Sequence, residues 1–197
     1  RRPRPDCLAR TASAYGHRMD FAIPPDIQTT LDEIDSFIEA EIVPLQQQDD
    51  NERFFDHRRE HARTDWDNQG LPRPEWEALL HRVKRLADDA GHYRYPFPKE
   101  YGGKEGGNLD MAVIRDHLAG KGLGLHCDLQ NEHAIVGNNI SLLLMLHYGS
   151  EAQKAEWVEP LASGTQMFAF GITEPKHGSD ATHMETTAVR DGDEWII

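Results

Sequence analysis

Residues Phe168 to Ala181, Phe-Ala-Phe-Gly-Ile-Thr-Glu-Pro-Lys-His-Gly-Ser-Asp-Ala, gather side chains suited to holding a flat ring and an anion. The run Met167–Ile172 alternates and is rich in aromatic and branched residues, which predicts a strand. A strand that ends in Thr173-Glu174-Pro175 exposes its last hydroxyl at a sheet rim, where a planar ring could lie. Gly178 allows close backbone approach or a positive φ, and Ser179 can offer both its hydroxyl and its backbone N–H to an anion. The bland reading of the same residues is a Gly-Ser turn joining two strands.

Other candidate chemistry is weaker. His57 and His61 stand at i,i+4 and could share a helix face, but an HExxH pattern is absent and Arg58, Arg59 and Arg63 would oppose a cation. No metal site is expected. His126 and His133 flank Asn131-Glu132, a polar cluster that reads as helix capping, with pocket lining as the alternative. Met145 and Trp157 sit at core spacing and read as packing.

The elements that must position these groups follow from periodicity. Ile27, Leu31, Ile34, Phe37, Ile38 and Ile42 form an apolar stripe behind Pro25, and Pro44 should stop that helix. Residues 46–70 are strongly polar and read as a loop with a short solvated helix. Pro74 opens a second amphipathic run through Trp76, Leu79, Leu80, Val83 and Leu86, with Gly91 as its C′ residue. The Pro- and Gly-dense stretch from Tyr95 to Gly107 is a turn-rich connection. Asn108 is expected to cap a third helix through Leu118, and a more apolar fourth helix is expected from Ile135 to His147. Ser150 and Gln153 form a capping box for a fifth, through Trp157 and Leu161 to Gly164. Thr186–Arg190, Asp191-Gly192 and Glu194–Ile197 read as a hairpin. The fold class is therefore α+β: an all-α helical bundle followed by the first strands of a β-barrel-like domain. The chain stops inside a strand, so truncation is expected.

A formal net charge of −13 argues against a nucleic-acid partner, which would need a positive footprint. Cys7 and Cys127 lack CxxC spacing, which disfavours a disulfide framework and suits a reducing compartment. The longest apolar stretch, Ile140–Leu146, is too short to cross a bilayer, so no membrane span is expected. Residues 1–18 hold five arginines and one acid, and Met19 opens a stretch that reads like a natural start. They are expected to be a disordered or artefactual basic extension rather than a transit peptide.

Thr173, Glu174, Pro175, Gly178, Ser179 and Asp180 match a signature of the acyl-CoA dehydrogenase family, with Lys176-His177 in place of the usual small pair. Pro98–Gly103 resembles the family's mid-helical-domain loop, Tyr148–Gly164 its stretch before the β domain, and Thr186–Ile197 its following hairpin. The resemblance covers nearly all of Met19–Ile197 and implies a helical amino-terminal domain at 19–165 and the start of a middle β domain at 166–197.

It further implies an FAD-dependent oxidoreductase that α,β-dehydrogenates an acyl-CoA thioester, a carboxylate taking the α-proton as the β-hydride passes to the flavin. Residues matching Phe170, Ile172 and Thr173 would lie along the flavin ring. Those matching Gly178 and Ser179 would serve the cofactor's pyrophosphate or the acyl-CoA. Glu174 belongs to the signature and is no candidate for the base, which the resemblance puts beyond Ile197, so no catalytic residue is named and this stretch alone should not turn over. Implied partners are an electron-transfer flavoprotein and further copies of the chain, as dimer or tetramer. The implied location is the bacterial cytoplasm, with the mitochondrial matrix or peroxisome as alternatives. A same-fold acyl-CoA oxidase or flavin monooxygenase, or a non-catalytic helical interaction module, are the rival readings.

Overall fold

A computed structural model describes residues 21–56, 58–128, 133–137, 140–166, 168–169 and 171–197. The basic extension 1–18 lies outside the described residues, as do His57, Asn131, Glu132, Met167 and Phe170. The chain divides into two compact units, on either side of position 139.

The first unit is helical. Helix α1 (Pro25–Phe37) starts on Pro25, whose missing N–H costs nothing at a first turn. It buries Ile27, Leu31 and Ile34. The helix does not stop before Pro44, as periodicity suggested. A π-helical turn (Ile38–Ile42) widens the spiral, with the Val43 N–H donating to the Ile38 carbonyl, and α2 (Val43–Gln47) continues with Pro44 in its first turn. The wider turn accommodates the ring that would clash in an unbroken α-helix.

The polar run that follows is not an open loop. A 3-10 segment (Gln48–Phe55) bends through left-handed Asp49 and Asp50 and drives Phe54 into the core. A second short turn (Glu60–Ala62) leads to a small hairpin, β1 (Thr64–Asp65) with β2 (Leu71–Pro72). Phe54 and Phe55 pack on Trp76 at centroid distances of 5.0 and 6.0 Å. The Arg63 guanidinium lies over the Trp76 ring at 4.6 Å and the Phe55 ring at 5.0 Å. Two aromatic residues thus anchor a run whose composition reads as solvated.

Helix α3 (Pro74–Asp89) carries the predicted stripe, Trp76, Leu79, Leu80 and Val83 all being buried. Gly91 takes φ 76 directly after the last turn, where the Gly91 and His92 amides cap the Asp88 and Ala87 carbonyls. In the connection beyond, Gly103 presses against the Phe97 carbonyl and Gly106 against the Tyr95 ring, so closely that a Cβ at either would overlap them. Helix α4 (Asn108–Gly120) is capped one residue earlier than expected: Gly107 is the N-cap, and its N–H donates to the Asp110 carboxylate at 2.6 Å. Its Ile114 and Leu118 are fully buried. Strands β3 (Cys127–Asp128) and β4 (His133–Ala134) then pair antiparallel. The core joins all four helices through Ile27, Ile34, Leu45, Trp76, Val83 and Ile114. Each such side chain contributes about 1.5–3 kcal/mol by leaving water.

In the second unit, α5 (Ile140–Tyr148) begins five residues later than the apolar run implied; Ile135 and Val136 are buried but lie in the preceding loop of the first unit. Helix α6 (Glu151–Ala162) carries the predicted capping box, with the Gln153 N–H donating to Ser150 Oγ and the Ser150 N–H to Gln153 Oε1. Leu142, Val158 and Ala162 are buried, whereas Met145 is half-buried and Trp157 is 37% exposed, so neither fills a core as their spacing suggested. Strands β5 (Val189–Asp191) and β6 (Glu194–Ile196) form the expected hairpin around Gly192, at φ 62. The first strand is shorter than predicted. Among the described residues of 168–172 no strand is present, because no ladder partner lies beside them. Among the described residues no helix is long and apolar enough to cross a membrane.

Candidate functional site

The Thr173–Thr186 loop is organised by its own polar side chains. Pro175 and its neighbours form a turn closed by the Glu174 N–H to the His177 carbonyl at 3.0 Å and the His177 N–H to the Glu174 carbonyl at 3.2 Å. The Glu174 carboxylate reaches across the loop. Its Oε2 accepts the Glu185 N–H and its Oε1 the Thr186 N–H, both at 2.8 Å. Hydrogen bonds from Thr186 and Glu185 lower its pKa below the ordinary glutamate value. An ionised carboxylate spent on two amides is a brace.

A second set of contacts closes the tip. His177 Nδ1 and Asp180 Oδ2 lie 2.8 Å apart, and the Gly178 N–H donates to Asp180 Oδ1 at 3.1 Å. The His183 N–H donates to the Asp180 carbonyl at 2.8 Å. Lys176 Nζ donates to Glu185 Oε2 at 2.9 Å.

Of the five sequence-predicted cofactor residues, Thr173, Gly178 and Ser179 lie on this loop and Ile172 directly precedes it, all exposed. Phe170 lies outside the described residues. Gly178 shows neither a positive φ nor a close approach within this chain, since a Cβ there would meet nothing within 4 Å. The open space lies in front of it. The Thr173 and Ser179 hydroxyls and the Ser179 N–H have no hydrogen bond to any described residue. The loop therefore presents unspent donors beside an unobstructed glycine, which suits a phosphate oxygen or a polar ring edge. What the sequence missed is the bracing by Glu174 and Glu185, which no short-range spacing signals.

The remaining candidates are structural. His126 is buried, and its Nε2 lies 3.1 Å from the Gly122 carbonyl, so it closes the turn after α4; burial pushes its pKa down. The neighbouring Leu125 N–H donates to Gln46 Oε1 of α2 at 2.9 Å. His61 sits in the turn Glu60–Ala62 rather than on a long helix face. Among the described residues no three His, Cys, Asp or Glu side chains are grouped to hold a metal.

Comparison with known proteins agrees with this architecture. Residues 48–165 match the family described as acyl-CoA dehydrogenase, N-terminal domain. A glutaryl-CoA dehydrogenase of Desulfococcus multivorans is 31% identical over 91% of this chain and 39% of its own length. The human mitochondrial short-chain specific acyl-CoA dehydrogenase is 27% identical over 89% of this chain and 35% of its own. A crystal structure of a glutaryl-CoA dehydrogenase from Mycobacterium smegmatis in complex with FADH2 superposes with TM-score 0.54, covering 88% of this chain and 37% of that one at 21% identity. The chain thus spans about two fifths of the length of the curated relatives it matches. Matched over more than half its residues by the amino-terminal domain and sharing that domain's helical fold, the chain belongs to the acyl-CoA dehydrogenase family.

Proposed function

We propose that this chain contributes one wall of the flavin and acyl-CoA site of an FAD-dependent acyl-CoA dehydrogenase. FAD, when bound, supplies the acceptor for the hydride removed from the acyl chain. Ile172 and Thr173 would border the ring, and Phe170 would join them. Gly178 would let a phosphate approach the backbone, and Ser179 would donate its hydroxyl and N–H to the cofactor pyrophosphate or to acyl-CoA. The observation that carries this reading is the exposed, unpartnered state of the Thr173 and Ser179 donors on a loop braced from within by the Glu174 and Asp180 carboxylates.

The domain boundary proposed is at 165/166, where the family match also ends. The activity proposed for the whole protein is α,β-dehydrogenation of an acyl-CoA. Glutaryl-CoA and short-chain acyl-CoA thioesters are the first substrates to try, since the relatives at 31% and 27% identity carry those names. The base is proposed to lie outside this chain, with an electron-transfer flavoprotein as acceptor and a dimer or tetramer as the assembly. A bacterial cytoplasm is the compartment proposed, in keeping with two cysteines, Cys7 and Cys127, that lack CxxC spacing. Titrating FAD into the full-length protein and its Ser179→Ala, Thr173→Ala variant tests the assignment. Weaker binding by the variant is expected, and unchanged binding of FAD and acyl-CoA would remove both residues from the site.

A further inference from the structure

Lys176 and His177 are where this sequence departs from the family signature, and two basic side chains beside a candidate phosphate site suggest phosphate ligands. The geometry points elsewhere. Lys176 Nζ is engaged by Glu185 Oε2 at 2.9 Å. His177 Nδ1 is engaged by Asp180 at 2.8 Å, and its Nε2, shielded from water and without a hydrogen bond, faces Glu185 Oε1 at 3.7 Å. Glu185 is thus held from both sides, its backbone N–H by Glu174 and its carboxylate by Lys176 and His177.

We infer that Lys176 and His177 are positioning residues: they lock the 174–186 loop through Glu185 and Asp180, and the lock presents Ser179 outward. The inference rests on the reading that this loop serves the flavin and acyl-CoA site. It replaces a phosphate-binding role for the two side chains with an internal one. A small pair at these positions could make neither contact, so this protein carries a tether that the usual signature lacks.

A charge swap separates the two roles. In the full-length protein, Lys176→Glu should speed amide hydrogen exchange at Glu185 and Thr186 about fivefold, as expected when an exposed ion pair becomes a repulsion, and should weaken FAD binding. Adding Glu185→Lys should restore both. His177→Asn, which keeps a donor for Asp180, should retain protection at Gly178, and His177→Leu should lose it. If Lys176→Glu weakens FAD or acyl-CoA binding without altering exchange, or if the swap rescues neither, Lys176 is a direct ligand contact and the lock is overturned. A wild-type protein that takes up no FAD would overturn the flavin reading, while the exchange pattern would still decide on the lock.

Discussion

Glu174 holds the backbone of Thr186 twelve residues away, its Oε1 accepting that amide at 2.8 Å, while its other oxygen takes the adjacent Glu185 amide at the same distance. A single carboxylate thereby fixes both ends of the candidate site loop. Glu174→Gln leaves one oxygen where two are used and turns the other acceptor into a donor. Exchange at the Glu185 and Thr186 amides should accelerate in this variant, and FAD affinity should drop with it. Full protection in Glu174→Gln would show that the brace is not needed.

Gly103 is set against the Phe97 carbonyl with no room for a side chain. Gly103→Ala should therefore destabilise the protein by about 3 kcal/mol. Gly122→Ala, where a Cβ meets nothing, should cost less and only through its φ of 85. Urea denaturation of the two variants measures the difference.

Trp76 is 3% exposed and carries Phe54, Phe55 and Arg63 on its ring. Trp76→Ala should cost about 3–5 kcal/mol and release the Gln48–Phe55 turn. Limited proteolysis within 48–65 should then become fast. A variant with this segment still resistant would place its anchor elsewhere.

Burial holds the pKa of His92 and of His126 below the ordinary 6.5, with Lys104 and Lys121 respectively adding to it. The unfolded chain protonates first as pH falls below 6.5, so it binds more protons than the folded state. The stability these neutral rings contribute is full above that pH and is lost as pH falls toward the folded values, by at most about 1.4 kcal/mol per pH unit for each histidine. Asp35 adds to the loss at lower pH. Burial opposes its ionisation, but hydrogen bonds from His117 and Lys121 outweigh this and hold its pKa below 3.8. Melting curves should show Tm falling between pH 6.5 and 5, with a shallower fall in the His92→Gln, His126→Gln variant. A rising Tm over that range would contradict the assignment.

Much of this was legible in the residues. Helices α3 and α6 declare themselves because local chemistry sets their ends: Pro74 and Gly91 for one, the Ser150–Gln153 box for the other. The Gly192 hairpin follows for the same reason. The π-turn at Ile38–Ile42 was hidden, because a widened spiral keeps the apolar stripe while changing what Pro44 can tolerate. Phe54 was hidden too, because left-handed Asp49 and Asp50 break any periodic pattern around it. In the site, the signature named the exposed residues Thr173 and Ser179. The tether from Lys176 to Glu185 was not visible, since it joins polar groups nine residues apart in a segment without period.

Flavin chemistry in the complete protein is the most direct test of the proposed function. Full-length protein should be purified, reconstituted with FAD, and mixed anaerobically with glutaryl-CoA or a short-chain acyl-CoA while its visible flavin absorbance is followed. The protein should be yellow, and its flavin absorbance should bleach as the enoyl-CoA product appears. A colourless protein that takes up no FAD, or a bound flavin that no acyl-CoA reduces, would contradict that function.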